Sequence, residues 1–527
     1  MMRFHHTYKT ILILTMAASL TTACSDTTGK EGSGTSSPST AGQQSHAAGS
    51  DPAKVTFKIF RSFQAPEYPP DGGPARQKVL AGLEQAGIKG IDYNVSMASG
   101  EEYKTKLNLL ASSGDLPDYF SVPDLLTLNR LTDEGLIMPL DDLLKQAPNV
   151  TKYLKPEDLE ILKYKGKLYG LPPGYRPETF NGPNVNGLLI RRDWLDALNL
   201  KTPTTLDELH DVLKAFTFND PDGNGKKDTF GLTTNKFVGA GANGNYFSPV
   251  FGAFGVIPTF WQQRDGQLKQ GMVLPETKQA LALLQSWYKE GIIDPEFPIM
   301  EPKQMNEKII NSKAGAFEGT AFDADPTGAN YSALKKTTAT AKLAFLAPAA
   351  GTNGKKGAAE NSPAYSDIRA ISAKAKNPEK LMELINWSAG PGFDLVTYGI
   401  ENEDYQYDKE KNKIKLLVPN YSELYKKGFS NPIRFLQVVD RRWLTEDATA
   451  AMTVSNDPQN LVRNEFWKSV PAMNDYPDIK KLWDEYFAKI VTGAWSVDKW
   501  DELVKRYYQE GGQEIEKQVN AEWKKAK

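Results

Sequence analysis

Five segments decide the fold: VTFKIFRSF (55–63), ARQKVLAGLEQA (75–86), IDYNVSM (91–97), EEYKTKLNLLA (101–111) and DYFSV (118–122). In the first, Val55, Phe57 and Ile59 alternate with Thr56 and Lys58, the period of a strand with one buried face. In the second, Val79, Leu80 and Leu83 take helical spacing, and Gly87 supplies a stop. Ile91–Met97 reads as a strand again. Glu101–Ala111 reads as a helix with Tyr103, Leu107 and Leu110 on one face. Asp118–Val122 is a third, short strand after the turn Gly114-Asp115-Leu116-Pro117. An order β-α-β-α-β implies a parallel sheet with helices on its faces. Ligands of such sheets bind beyond the carboxyl ends of the strands. Phe63, Asp118 and Tyr119 lie near two of those ends and are candidate contacts.

Outward from this stretch, the chain begins unlike a folded domain. Arg3 and Lys9 precede an apolar run from Ile11 to Leu20, the layout of a secretory signal. The run is too short to span a bilayer. Cys24, the chain's one cysteine, follows directly in Leu20-Thr21-Thr22-Ala23-Cys24, which resembles the lipobox of bacterial lipoproteins, with Thr21 where that motif prefers Leu. The resemblance implies removal of residues 1–23 and fatty acylation of Cys24, with palmitate among the chains attached. More than one acyl chain holds a protein stably in a membrane. Residues 24–52, rich in Ser, Thr, Gly, Ala and Gln, bury no core and read as a flexible tether reaching on the order of 30 Å.

The 527 residues call for two lobes or domains. The formal net charge is −2, and loss of Arg3 and Lys9 leaves 61 basic against 65 acidic residues. That balance offers no footprint for nucleic acid. Without another cysteine, the body has neither a disulfide framework nor a thiolate metal site. His5 and His6 lie in the signal and His46 in the tether. Only His210 remains, so no histidine triad is available. A glycosidase needs only two carboxylates, so a secreted carbohydrate-active enzyme stays an alternative.

A second unit opens near Leu188. Leu188-Leu189-Ile190 is apolar, Arg191-Arg192-Asp193-Trp194-Leu195 opens a helix, and Thr205-Leu206-Asp207-Glu208 has capping-box spacing for a helix through Phe216. The run LYGLPP (168–173) with LLIRRDWLDALNLKTPTTLDELHDVLKAF (188–216), YKEGIIDPEF (288–297) and NPEKLMELINW (377–387) resembles the extracellular solute-binding proteins of bacterial ABC importers. The likeness is to the large branch that includes alginate- and rhamnogalacturonan-fragment binders. It implies an α/β, two-lobed periplasmic-binding-protein-like fold with discontinuous lobes and a ligand cleft between them. The expected division is 53–186 plus about 352–400 for the first lobe, and 187–351 plus about 401–527 for the second. The crossings are expected near Val185–Leu188 and Pro348–Gly357. The implied protein is a non-enzymatic, monomeric, lipid-anchored receptor on the extracellular face of the membrane. It would pass an oligosaccharide to the permease subunits of an ABC transporter. A lipoprotein that senses sugar without transporting it is the further alternative.

Asp220-Pro221-Asp222-Gly223-Asn224-Gly225-Lys226-Lys227-Asp228 matches the EF-hand calcium loop at positions one, three, five, six and nine. Asp220, Asp222, Asn224 and Asp228 offer side-chain oxygens, and Lys226 offers its carbonyl. Position twelve is Gly231 where the motif has a bidentate Glu, which predicts a weak structural calcium site; an ion-free Asx-rich turn is the competing reading.

Sugars present apolar C–H faces and a rim of hydroxyls, so a binder needs flat aromatic surfaces beside polar groups. Phe63 and Tyr68, Tyr175 and Arg176, Trp261, Glu318 and Trp387 are the candidates this chemistry selects. Core packing competes at each of them. Trp261 and Tyr175 sit among polar and proline residues and look least like core, whereas Trp467, Trp483, Trp495 and Trp500 read as core of a helical C-terminal part.

Overall fold

The alternation read from residues 55–122 becomes β1 (Val55–Ser62), α1 (Gly73–Gln85), β2 (Ile91–Ala98), α2 (Gly100–Ser113) and β3 (Tyr119–Val122), followed by α3 (Leu125–Asp133). The computed structural model describes residues 54–62, 68–98, 100–177, 180, 184–235, 247–361, 368–419, 421–429, 433–436 and 440–525. The signal, Cys24, the tether and Phe63 lie outside the described residues.

β1 runs parallel to β2 from Val55 opposite Ile91 to Ser62 opposite Ala98, and parallel to β3 on its other side. Phe57 and Ile59 enter the core, as do Val79 and Leu83 of α1 and Tyr103 and Leu107 of α2. The Tyr103 hydroxyl donates to the Ser121 carbonyl at 2.6 Å, which ties α2 to β3. A strand from far down the chain, Ile368–Ile371, closes the sheet by pairing antiparallel with β3.

The second half is built on another four-stranded sheet. Its strands are β4 (Gly187–Arg191), β5 (Phe230–Thr233), β6 (Ala314–Gly319) and β7 (Leu343–Phe345), in the order β7-β4-β6-β5. β5 and β6 are parallel, and β4 is antiparallel to β6 and β7. Between β4 and β5 lies α4 (Leu206–Phe218). Its Thr205 side chain accepts from the Glu208 N–H while the Glu208 side chain reaches back to the cap, the reciprocal pair its sequence predicts. Leu209, Val212, Leu213 and Phe216 of α4 join Trp194, Trp287, Trp483 and Phe487 in the second core. A third cluster, around Phe317, Tyr331, Leu444 and Met452, covers the other face of that sheet.

Three short strands, Asn184–Val185, Ala358–Asn361 and Leu461–Val462, with Ala358–Asn361 in the middle, pack on the second half, and the first two stand at the ends of chain passes from and to the first lobe. Bridges between Leu171 and Arg369 and between Gly174 and Leu436 tie neighbouring passes on the first-lobe side. Ala349 packs in the second core and Ala358 in the third cluster, so the expected crossing at Pro348–Gly357 belongs to the second half. Tyr405, Ile414, Ile433, Phe435 and Leu436 pack in the first core. Residues 401–436 therefore return to the first lobe, contrary to the division expected from sequence. The hairpin Tyr405–Asp408 with Lys413–Leu416 carries that return, and its alternating Tyr, Ile and Leu residues need a partner surface. Among the described residues, no helix is long and apolar enough to cross a membrane.

Candidate functional site

β1 and β3 end at Ser62 and Val122, and the parallel pair β5 and β6 ends at Thr233 and Gly319. The chain passes between the lobes through residues 440–445: Tyr398 of the first core holds Asp440, and Leu444 packs in the third cluster. Here Trp443, half-buried, packs against both the first core and the third cluster. Its ring lies 5.1 Å from Tyr421 at 29° and 5.7 Å from Phe322 at 31°. Three near-parallel rings thus form a row from the first lobe to the segment just beyond β6.

The row is held from below by charge. Asp440 is fully buried and accepts the Arg442 Nε–H and the Tyr398 hydroxyl on one oxygen at 2.8 and 2.9 Å, and the Arg442 backbone N–H on the other at 2.8 Å. Arg442 also donates to Asp394 at 3.1 Å. A buried ion pair is stable only when its remaining hydrogen-bonding capacity is met, and here the neighbours meet it. Its rigidity fixes the backbone on which Trp443 stands.

At the end of β6, Glu318 accepts the Thr234 hydroxyl at 2.9 Å. Burial pushes its carboxyl up to about 7, against hydrogen bonds from Thr234 and from the backbone N–H groups of Phe247 and Ser248. Asp323 accepts both the backbone N–H and the hydroxyl of Thr320 at 2.8 Å, and burial raises it as well. A carboxyl poised near neutrality can donate or accept toward a hydroxyl.

Farther along the gap, Asp124, Leu125 and Leu126 face Thr259, Trp261, Asn464 and Trp467 across a cavity of about 230 Å³. The Asp124 carboxylate caps α3 through the Thr127 N–H at 2.7 Å. The Asn129 amide of α3 donates to the Ser469 hydroxyl, so the two lobes touch directly here. Glu360, on the strand Ala358–Asn361, accepts the Asn464 N–H at 2.8 Å and the Trp467 indole N–H at 3.1 Å. The connection and this wall of the gap are therefore one hydrogen-bonded unit.

The residues selected from sequence scatter around this gap. Tyr68 is buried. Asp118 accepts the Lys58 backbone N–H at 2.7 Å and so joins β1 to β3. Tyr119 is a core residue under the Arg61 guanidinium. Tyr175 is buried beneath the Lys155 ammonium, 4.7 Å from its ring, and Arg176 lies 4.6 Å over the Phe393 ring. Trp387 is a core residue too. A Cβ at Gly82 or Gly392 would come within 2.8 or 2.5 Å of its indole, so glycines make room for it.

Trp261 is not in an exposed loop. It opens the first strand of a hairpin, Trp261–Arg264 with Gln267–Gln270, closed by Asp265 and Gly266 at φ 50° and 75°. It is 5 % exposed and packs with Leu268, Phe466, Ile515 and Val519. Its polar neighbours reflect the edge of a two-stranded ribbon. Trp443, Tyr421 and Phe322 are not among the residues the sequence selects, and Trp467, read as core, packs half-buried against the second core. The signal existed in Asp440-Arg441-Arg442-Trp443, an indole among charges just before a helix cap at Thr445.

The acidic loop folds inward on itself. Asp220, at φ 48°, accepts the backbone N–H groups of Asn224 and Gly225 at 3.0 and 2.9 Å. The Asn224 amide contacts Asp222 at 2.8 Å and Asp228 at 3.3 Å. The Lys226 backbone N–H donates to the Asn224 side chain at 2.7 Å, leaving its carbonyl as the group for an ion. Lys313 pairs with Asp228 and holds that carboxyl below its usual range. Among the described residues, no cluster of three or more His, Cys, Asp or Glu is arranged to hold a metal. Yet the Asp222 Oδ1 is buried with no hydrogen-bond partner among them, and burial, then Asp220, raise that carboxyl. A buried, partnerless oxygen within an all-oxygen donor set fits calcium. Position twelve has no room for a ligand: a Cβ at Gly231 would come within 2.2 Å of the Leu213 carbonyl oxygen, because β5 presses on α4.

Two α/β lobes joined by several chain passes are the architecture of a protein that binds in the cleft between them. The chain belongs to the bacterial extracellular solute-binding proteins, whose family pattern matches residues 67–393. It is 24 % identical over 470 residues to the polygalacturonan/rhamnogalacturonan-binding protein YtcQ of Bacillus subtilis, covering 86 % of this chain and 89 % of that one. It is 31 % identical over 272 residues to the B. subtilis lipoprotein LipO, about half the length of each. In fold it resembles the alginate-binding protein AlgQ2, solved without calcium (TM-score 0.69, 22 % identity, 90 % of this chain and 98 % of that one). It also resembles the Streptococcus pneumoniae ABC-transporter substrate-binding protein FusA in complex with kestose (TM-score 0.68, 22 % identity, 90 % and 99 %).

Proposed function

We propose that this protein is a lipid-anchored, monomeric extracellular receptor that binds an oligosaccharide between its lobes and delivers it to an ABC permease. The observation that carries the reading is the row Tyr421–Trp443–Phe322, three half-buried rings that run from the first lobe to the segment just beyond β6. Aromatic faces with a few oriented polar groups are what a sugar ring requires. The names of YtcQ and the FusA complex point to the same class of ligand. In this reading the first lobe comprises residues 54 to about 173 with 368–436, and the second about 184–361 with 440–525. Calcium held by Asp220, Asp222, Asn224, Asp228 and the Lys226 carbonyl braces the second lobe.

A thermal-shift screen with oligogalacturonides, rhamnogalacturonan fragments and kestose, followed by calorimetric titration of each hit, tests the ligand. Saturable micromolar or tighter binding of one class is the expected result. A screen in which none of them shifts the melting temperature would sink the sugar reading. The anchor is tested separately: Cys24→Ser should release the protein into the medium with its melting temperature unchanged, and a variant still sedimenting with membranes refutes acylation.

A further inference from the structure

Trp467 and Asn464 also border a larger cavity of about 460 Å³, within the range of small-molecule sites. Its buried floor is Phe260, Trp261, Met272 and Trp483. Around that floor stand groups that keep access to solvent: Leu126, Gln270, Asn464, Trp467, Asn474 and Tyr476. Leu126 belongs to α3, whose Leu128 and Leu131 pack in the first core and whose Asn129 donates to Ser469. The cavity therefore takes its wall from both lobes.

The rings at its edge are held in place. Trp467 is pinned through its indole N–H, which donates to Glu360 at 3.1 Å, and its ring meets Phe260 edge to face at 5.6 Å. Tyr476 is 39 % exposed, and its ring rests against Gly511. Between the helices Lys499–Tyr507 and Gln513–Lys525 the chain turns at Glu510-Gly511, with Gly511 at φ 116°. A Cβ there would come within 2.2 Å of the Tyr476 ring, so glycine both makes the turn and seats the ring.

The polar groups are amides with hydrogen-bonding capacity left over. The Asn464 Oδ1 accepts the Trp261 backbone N–H at 2.8 Å, which leaves its NH2 group to donate. Gln270 and Asn474 have no side-chain partner among the described residues. Charge is nearly absent: among the described residues that line the cavity, Lys480 alone is charged. It stands one helical turn before Asp484, where its ammonium works against the burial that raises that carboxyl to about 6. No arginine among them offers a fork to a carboxylate.

We propose that this cavity is a saccharide subsite for an uncharged sugar unit, its C–H face against Trp467 and Tyr476 and its hydroxyls on the Gln270, Asn464 and Asn474 amides; the proposal rests on the oligosaccharide reading above and adds the charge of the ligand. A uronate would bring its carboxylate to a wall with one ammonium, already shared with Asp484. An apolar guest would strip the amides of water and give them no partner. A neutral sugar ring meets both requirements, with C–H faces for the rings and hydroxyls for the amides.

The test is calorimetric titration of the whole protein with two trisaccharides, kestose and trigalacturonic acid. Kestose should bind at least tenfold more tightly. Tyr476→Ala should weaken kestose binding at least tenfold and leave the melting temperature unchanged, since an exposed ring leaves no core cavity when truncated. Tyr476→Phe should recover most of that loss. Gln270→Ala and Asn474→Ala should each weaken kestose binding severalfold. Unchanged kestose affinity in the three alanine variants overturns the proposal and leaves the oligosaccharide reading standing. So does trigalacturonic acid binding as tightly as kestose or more so. If neither trisaccharide binds, nor any rhamnogalacturonan fragment, the oligosaccharide reading itself falls, and the proposal with it.

Discussion

Trp443 carries the ligand argument at the scale of single residues. Its ring is stacked on Tyr421 and tilted against Phe322, and it stays half-buried between the first core and the third cluster. Trp443→Ala should weaken oligosaccharide binding roughly ten- to a hundredfold, on the order of 1–3 kcal/mol for a rigid aromatic anchor. Titration of wild type and variant checks this, and equal affinities would return the ring row to structure alone. Glu318 makes a second prediction, through pH. Its folded pKa of about 7 lies above the ordinary value of 4.5. Below 4.5 the carboxyl is protonated in both states and no destabilisation arises. As pH rises from there, the unfolded chain ionises first, so stability falls until the pH passes about 7. The cost approaches about 1.4 kcal/mol per unit of difference, an upper bound of roughly 3 to 4 kcal/mol in all. Glu318→Gln should therefore raise the melting temperature more at pH 8 than at pH 5. A difference that does not change with pH would show that the native group titrates normally.

Within one element, the acidic loop, two charges compete for the same carboxylate. Lys313 already neutralises Asp228, and a calcium ion must share or displace that ammonium. Calcium should raise the melting temperature of the wild type, and Asp222→Ala should abolish the rise. Lys313→Met should tighten calcium binding severalfold, since removing a partly exposed pair leaves a free ligand. Calcium titration by calorimetry decides it: weaker binding in Lys313→Met would place the ammonium as a support of the loop instead of a competitor. The legibility of elements followed the range of their causes. β1, α1, β2, α2, β3 and the capping box of α4 were readable because period and caps are local properties. The strand Ile368–Ile371 and the return of residues 401–436 were not, because a four-residue strand or a short hairpin acquires a place only from a distant surface. Trp261 and Trp387 failed for the same reason. A polar flank or a helix end says nothing about which glycine, 82 or 392, stands across the core from an indole. The ring row joins residues 322, 421 and 443, from three separate passes of chain, and no local pattern contains it.

For the whole molecule, the decisive feature is that the connection between lobes and the wall of the cleft are chemically continuous. Glu360 stands on the strand Ala358–Asn361, which ends where the chain leaves for the first lobe, and its carboxylate is the acceptor for the Asn464 N–H and the Trp467 indole. Burial raises this carboxyl, opposed by those two donors, so its environment is already costly and depends on them. If the lobes close on ligand as hinged bodies, the segment carrying Trp467 must move with the connecting strand. Glu360→Ala leaves two donors without their acceptor, at a cost of about 1–3 kcal/mol for each buried group. It also frees the Trp467 wall from the hinge. The variant should melt lower, bind oligosaccharide more weakly, and contract less on binding than the wild type in small-angle X-ray scattering. Glu360→Gln keeps an acceptor oxygen in the same place, so it should recover most of the stability and the contraction. Should the alanine variant contract and bind like the wild type while melting lower, Glu360 would be a structural brace, and closure would be governed by the other passes of chain between the lobes.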